Sequence, residues 1–442
     1  MAVPLSQRIP SPLRMCGLRR FRRKAFVFVI TVITYSLVTF AFEKFQLYRT
    51  GYSLMVGDKP VNLPAVRDIT LNDSTVNPVK GSLIEEVTSW KKEVLPAWHQ
   101  YSSDFSVMEL YHPNSSYLSR LLHELAVVEI RNTSIYRRGS QFKFLIEFVD
   151  GNKAVSKPMR SEREFYFHYR RWGSYLSDME RHTAEIAAYH LDRIFDFRKV
   201  PPCIGRVLNF TGDIIQKTND SDILNTQRTK DGQKCIIGGC RKDFCSEKRL
   251  TCAKGEFLEV SLCQKIPESI KVKQVPYPWS PDTQKTWNHT NICKNVTEDE
   301  VVRKNDLFLY FMEIAVFDHL MLNYDRHHFK TIYVNRAKEI GFALFDNGKG
   351  FGNPYKDDIS LLAPITQCCR FRRSLYQKVL TLTSEDNKLS SRMRASLSRD
   401  PLDPVLTDAF YPALDRRLAQ VLSEMNKCLE KFEESKVFSE KW

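Results

Sequence analysis

The sequence predicts an α+β fold of two lobes with disulfide-rich insertions, preceded by a single N-terminal transmembrane helix. Three observations predict it. An uncharged run, Ala25 to Phe42, stands near the N-terminus. A strand–turn–strand signal followed by a helical period covers residues 141–195. From about residue 374 the pattern is mainly helical. With 442 residues, 43% hydrophobic and 27% charged, the chain is long enough for one large domain or two lobes with real cores.

Ala25–Phe42 is 18 residues long, just enough to cross a bilayer as a helix. Arg8, Arg14, Arg19, Arg20, Arg22, Arg23 and Lys24 precede it. A positive flank stays in the cytosol, so residues 1–24 are expected as a cytosolic tail and everything after residue 43 in the lumen. The alternative is a cleaved signal peptide, whose apolar region is normally shorter and followed by small residues. Phe40 to Phe45 is bulky and charged, which favours an uncleaved anchor and leaves later cleavage in the stem open.

Two features agree with a lumenal location. Seven N-x-Ser/Thr sequons, at Asn72, Asn114, Asn132, Asn209, Asn219, Asn288 and Asn295, all follow the anchor and stop before residue 300. Of eleven cysteines only Cys16 precedes the anchor. The other ten (Cys203, Cys235, Cys240, Cys245, Cys252, Cys263, Cys293, Cys368, Cys369 and Cys428) form an even set, as a disulfide framework requires. A zinc cluster at 235–252 is the rival reading, but its spacings of x4, x4 and x6 without histidine are a poor zinc pattern. The net charge is +14, and the tail just named supplies seven of those positives. A mildly basic lumenal domain suits an acidic or phosphate-bearing partner, and equally suits plain solubility.

Residues 43–105 read as a stem, rich in Asn, Thr, Val and Pro, with one short helix near Leu83 to Glu93. The globular domain is expected over 106–442, with a small lobe to about 265 and a large lobe from about 266. Gln141 to Phe148 is strand-like, Asp150-Gly151-Asn152 is a turn, and a second strand runs to Lys157. Ser177 to Phe195 reads as a helix with Ala184, Ala187, Ala188, Leu191 and Ile194 on one stripe and Asp178 near its start as a cap. Residues 213–300 look loop-rich and cysteine-rich. Asp306 to Leu322 is a strongly apolar helix, and Gly341 to Phe345 a buried strand.

Several residues along this frame could carry phosphoryl transfer, which needs cations for the phosphates, carboxylates for a metal and one carboxylate facing the acceptor hydroxyl. Lys143 and Lys157 lie on successive strands; taken alone, two surface lysines are the blander account. Pro158 must end the second strand. Glu180 and Glu185 stand near the start of the 178–194 helix, five positions and about 140° apart, so one can meet a strand lysine while the other points to a metal. Ordinary first-turn glutamates, favoured by the helix dipole, are the alternative. Asn323-Tyr324-Asp325-Arg326-His327-His328 places many polar groups after a buried helix, and 21 residues after Asp325 comes Asp346, before the glycine-rich Asn347-Gly348-Lys349-Gly350. Protein kinases use this plan of a catalytic-loop Asp, a short strand pair and a metal-binding Asp before a Gly. A metal site on His327 and His328 ranks well below it. Lys349 among glycines does not complete a P-loop motif.

The runs S-D-M-E-R-H-T-A-E-I-A-A-Y-H-L-D-R-I-F-D-F-R-K-V-P-P (177–202), F-D-H-L-M-L-N-Y-D-R-H-H-F (317–329), F-D-N-G-K-G-F-G (345–352) and L-L-A-P-I-T-Q-C-C-R (361–370) closely resemble the family of secretory kinases that contains the Golgi casein kinase and the glycosaminoglycan xylosylkinase. The likeness covers roughly Val127 to Lys431. It implies an atypical protein-kinase-like fold, ATP as phosphate donor and Mn²⁺, or Mg²⁺, as metal. Lys143 and Lys157 match the family's nucleotide-phosphate lysines, Glu180 a metal ligand, Glu185 the lysine's ion-pair partner, Asp325 the catalytic aspartate and Asp346 the metal aspartate. The adenine is expected near Leu262, Cys263, Gln264, Lys265 and Ile266. The disulfides carried over are Cys235–Cys252, Cys240–Cys245, Cys293–Cys368 and Cys369–Cys428. Cys203 and Cys263 match nothing in the family and are expected to pair with each other.

Lys157 to Arg160 (K-P-M-R), Phe165 to Phe167 and Glu180 to His182 resemble the casein-kinase branch, whereas Phe351-Gly352-Asn353-Pro354 resembles the xylosylkinase branch. The balance favours a protein kinase acting on serines of secreted proteins in Ser-x-Glu motifs. Phosphorylation of xylose in the proteoglycan linkage region is the second reading, and a pseudokinase that activates a related kinase the third. Pseudokinase relatives lose the first helix glutamate, and Glu180 is present here. The resemblance further implies a Golgi membrane protein of type II, able to form homo- or heterodimers, with no role for nucleic acid.

Overall fold

The computed structural model describes residues 95–442, apart from 107–108, 140, 165–168, 172–173, 177–179, 239–249, 305–306, 335–339 and 441–442. The expected tail, anchor, helix near Leu83, sequon at Asn72, Cys240–Cys245 pair, Phe165 to Phe167 run and Asp178 cap lie outside these residues. Among the described residues no helix is long and apolar enough to cross a membrane.

Two helices open the described chain: α1, Ala97–Asp104, and α2, Leu118–Val127. Ala97 and Tyr101 of α1 are fully buried, and the Ala97 N–H donates to Glu124 of α2 at 2.8 Å. α1 falls within the stretch expected as stem. Its buried pair is spaced i, i+4, a stripe too short to stand out among polar neighbours.

An antiparallel sheet follows, built from β1 (Ile130–Ile135), β2 (Phe144–Phe148), β3 (Lys153–Pro158), β4 (Cys203–Asn209) and β5 (Phe257–Gln264) in the spatial order β1-β2-β3-β5-β4. Phe144, Ile146 and Phe148 are buried, the alternation that puts one face of β2 on the core. The expected β2–β3 hairpin is present, turning at Gly151 with φ +88°. Lys143 precedes β2 by one residue rather than lying on it, and Pro158 closes β3. Buried Leu258, Val260 and Leu262 make β5 the strand between β3 and β4, inside a region expected as loop. The same region holds a small ladder of Gln227–Lys230, Gln233–Ile236 and Thr251–Cys252.

The helix α3 packs against this sheet, but it runs His182–Ile194 and so starts later than the expected Ser177. Arg181 is extended at φ −114° because its N–H bonds the Gly348 carbonyl at 2.7 Å. Glu180 therefore precedes the helix, Glu185 sits in its first turn, and the helical angle expected between them does not apply.

The second half begins with β6 (Ile270–Pro276), which pairs with β7 (His328–Val334), which pairs with β8 (Ile340–Ala343). Between β6 and β7 runs α4, Phe308–Met321, mainly apolar on all its faces and largely buried, with Asp318 and His319 the polar groups it buries. The three longest helices after α4 are α5 (Arg373–Thr383), α6 (Leu389–Leu397) and α7 (Phe410–Lys431), with α6 packed on α3. Among the described residues four disulfides are formed: Cys203–Cys263, Cys235–Cys252, Cys293–Cys368 and Cys369–Cys428. Cys203 and Cys263 stand directly opposite one another on β4 and β5. Asn114, Asn209, Asn219, Asn288 and Asn295 are exposed and Asn132 is half-buried.

Candidate active site

Three separated segments meet at one ammonium. Lys157, on β3, is buried, and its Nζ lies 2.6 Å from Glu185 Oε1, 3.1 Å from Glu180 Oε2 and 3.4 Å from Asp346 Oδ1. Lys143 Nζ donates to the same Asp346 oxygen at 2.7 Å. Burial lowers the Lys157 pKa, but Glu180, Glu185 and Asp346 outweigh it and hold the ammonium well above its usual value. The protein packed around its carboxylate pushes the Asp346 carboxyl up, and the two lysines override it, holding that carboxyl far below the usual carboxylate range. The Asp346 side chain keeps 47% of its surface exposed, so it faces open space while anchored from behind.

The backbone of residues 346–351 makes the approach possible. Asp346 adopts φ +57°, the left-handed region that aspartate tolerates better than most residues. Gly348 lies so close that a Cβ there would sit 3.2 Å from Lys157 Nζ and 3.3 Å from Glu180 Cβ.

The second part of the site is the loop after α4. The buried Arg326 guanidinium grips Asp318 through two bonds of 2.9 and 2.7 Å, and donates to the Phe345 carbonyl at 2.9 Å and to Asn347 Oδ1 at 2.8 Å. One residue thus ties the Asp325 loop to the Asp346 loop. Asp325 Oδ1 accepts from Lys349 Nζ at 3.1 Å and meets His327 Nε2 at 3.2 Å. Burial raises the Asp325 pKa, yet His327 and Lys349 outweigh it and keep the group ionised. Lys349 thus serves Asp325. His327 is likewise engaged by carboxylates, with Asp282 on its other nitrogen at 2.6 Å.

The residues expected near adenine lie at the end of β5 and just beyond. Ser261 stands opposite Lys157 in the ladder, so Leu262 to Gln264 continue beside the lysine strand. Leu262 is buried, Cys263 is in the disulfide to Cys203, and Gln264 exchanges bonds of 3.0 and 2.8 Å with Asn152. The Lys265 N–H bonds the Lys153 carbonyl at 3.0 Å, and Ile266 packs against the core. Sequence reasoning missed Asp318, Asn347 and Asp282. Only tertiary contacts reveal them, since no local spacing links Asp282 to the 323–328 loop.

Oxygen donors of this kind fit a hard divalent ion. Glu180 and Asp346 both reach the neighbourhood of one ammonium, and Mg²⁺-type sites usually combine one or two carboxylates with substrate phosphates. Among the described residues no cluster of three or more His, Cys, Asp or Glu forms a cage made of protein alone.

Residues 96–437 match the family described as Fam20C: Golgi casein kinase, C-terminal, Fam20. The chain belongs to the Fam20 family. It is 35% identical over 351 residues to the human extracellular serine/threonine protein kinase FAM20C, covering 76% of this chain and 58% of that protein. It is 31% identical over 363 residues to the glycosaminoglycan xylosylkinase of Danio rerio, covering 81% of this chain and 85% of that protein. It is also 32% identical to the mouse pseudokinase FAM20A, over 78% of this chain and 68% of that protein. The chain spans less than two thirds of human FAM20C and, at 62%, of a Drosophila melanogaster relative. Among solved Fam20 structures, the Golgi casein kinase with Mn/ADP bound superposes with a TM-score of 0.73 at 29% identity, covering 80% of this chain and 85% of that one. Hydra Fam20 with sugar gives 0.72 at 30%, covering 78% and 98%.

Proposed function

We propose that this chain is a Golgi-lumenal, type II membrane kinase that transfers the γ-phosphate of ATP to serines of secreted proteins in Ser-x-Glu motifs. The observation that carries the reading is the convergence of Glu180, Glu185 and Asp346 around the Lys157 ammonium, with Lys143 on the same Asp346 oxygen and Arg326 joining that cluster to the Asp325 loop. The related Golgi casein kinase, solved with Mn/ADP bound, supports the donor and the metal. The metal, Mn²⁺ or Mg²⁺ on Glu180 and Asp346, would neutralise phosphate charge when bound.

Each protein group then has a task. Lys143 and Lys157 hold the phosphates from the sheet side. Glu185 fixes the Lys157 side chain, so the ammonium waits in place rather than searching rotamers. The end of β5 and the residues after it, Leu262 to Ile266, receive the adenine. Asp325 orients the acceptor hydroxyl and takes up its proton, its low basicity suiting orientation over early proton removal.

Specific observations bear on the two other readings. The similarity to xylosylkinases and the Phe351 to Pro354 run favour a xylose acceptor as the second reading. The pseudokinase reading is disfavoured by Glu180, which is present and 3.1 Å from Lys157. We place the tail, anchor and stem at 1–24, 25–42 and from 43 onward, with stem cleavage as a route to secretion and with dimers of related members as partners. Labelled ATP with manganese, offered Ser-x-Glu peptides beside a xylose-containing linkage glycan, tests the acceptor. Phosphate on the peptide supports the leading reading; phosphate on the sugar replaces it with the second; nucleotide binding without transfer to either leaves the pseudokinase.

A further inference from the structure

The Asp325 carboxylate is held on one side only. His327 Nε2 at 3.2 Å and Lys349 Nζ at 3.1 Å both meet Oδ1, and Oδ2 has no side-chain partner among the described residues. His327 is gripped from its far side, with Nδ1 2.6 Å from Asp282 Oδ2. Asp282 comes from a short turn after β6, Pro281–Thr283, 45 residues away in sequence. That turn is fixed to the loop it serves. The Tyr277 N–H donates to the His327 carbonyl at 3.0 Å, and the buried Trp287 indole N–H donates to the Ser280 carbonyl at 2.9 Å.

We propose that Asp282 and His327 form a positioning pair that pins Oδ1 of Asp325 and leaves Oδ2 turned to the acceptor hydroxyl. The pair rests on the reading of Asp325 as the acceptor-facing carboxylate. In the transfer, the acceptor oxygen bonds to the γ-phosphorus and the bond from that phosphorus to the bridging oxygen breaks. Its electron pair leaves on ADP, and the acceptor proton passes to Asp325 Oδ2. His327 touches no reacting atom; it acts through Asp325.

The charged and titratable groups facing His327 are Asp325, Asp282, its neighbour His328, and Lys349 across Asp325. The bond to Asp325 outweighs burial and, with that to Asp282, raises the imidazole pKa above its usual value. With both nitrogens protonated, the ring donates to both carboxylates. As pH rises through that pKa one proton leaves. The shorter contact, to Asp282, keeps the remaining N–H, and a bare Nε2 lone pair then faces Oδ1. Turnover should therefore fall on the alkaline side as His327 titrates.

The test is the pH profile of kcat for the full chain with manganese, ATP and a Ser-x-Glu peptide, alongside an NMR titration of the His327 ring. Asp282→Asn should move the alkaline limb and the ring titration down by about one pH unit, as loss of a contacting opposite charge does, with KM for ATP unchanged. His327→Gln should remove the limb and lower kcat roughly 10- to 100-fold, the range for loss of an orienting partner. A pH-independent loss in both variants would mark a merely structural pair and overturn the proposal. A chain that transfers no phosphate removes the kinase reading instead, and the NMR titration still decides the pair: a His327 ring that titrates at the free-imidazole value and ignores Asp282→Asn overturns it.

Discussion

Replacing Lys157 by methionine keeps most of the side-chain volume and removes the ammonium. Glu180, Glu185 and Asp346 then face one another without their shared cation, and the first two are nearly buried, with side chains 11% and 6% exposed. Breaking a buried pair by removing one partner costs about 3–5 kcal/mol, because a charge is left uncompensated. In a domain of this size that is a fall in Tm on the order of 5–10 °C. The loss should depend on pH. In the native protein the Lys157 pKa is raised, so its contribution is complete below the unfolded value and vanishes only in strong alkali. The Asp346 pKa is lowered, so its contribution is complete above an unfolded value of about 3.9 and is lost only in acid. Between pH 5 and pH 8 the contributions of Lys157 and Asp346 are thus constant. In the variant Asp346 keeps Lys143, but Glu180 and Glu185 are left crowded beside it without a cation of their own, and carboxylates so crowded take up protons as the pH falls. Thermal melts of both proteins across that range should show a gap that is widest near pH 8 and narrows towards pH 5. A gap that stays constant, or no gap at all, would refute the account of the cluster.

Other perturbations probe the remaining parts. Asp346→Asn should abolish transfer of labelled phosphate while moving Tm by only a degree or two, because its side chain is half exposed and ion pairs in contact with water contribute about 0–1 kcal/mol. Arg326→Met should cost about 3–5 kcal/mol in denaturant unfolding by stranding Asp318, and should also lower kcat, since the two loops lose their common tie. The double variant Cys203→Ser with Cys263→Ser opens a link across a sequence separation of 60 residues and should cost about 2–5 kcal/mol in denaturant unfolding. Unchanged stability would make the bond incidental to the small sheet.

Much of the fold was legible because its signals are local. The alternation of Phe144, Ile146 and Phe148 and the Gly151 turn announce the β2–β3 hairpin, and α4 shows itself as a mainly apolar run broken only by Glu313, Asp318 and His319. β5 was not legible: its alternation lies within a cysteine-rich stretch without a hairpin partner beside it, and it gains its place only by inserting between β3 and β4 from 99 residues further along than β3, counting from Pro158 to Phe257. The start of α3 was misplaced because a contact with the Gly348 carbonyl, invisible in sequence, holds Arg181 extended. In the site, the six charged residues could be named because motifs carry them in order. The geometry could not: Glu180 and Glu185 both reach Lys157, where helical spacing had assigned them opposite faces. Asp318, Asn347 and Asp282 stayed hidden because an acidic or amide side chain is ordinary until its distant partner is known.

The most direct test of the shared metal–triphosphate site is anomalous diffraction at the manganese edge from crystals of this chain grown with Mn²⁺ and ADP. The account predicts a manganese peak bonded to the carboxylates of Glu180 and Asp346, with the nucleotide phosphates beside Lys143 and Lys157. Nucleotide bound elsewhere, or manganese away from those two carboxylates, would contradict it.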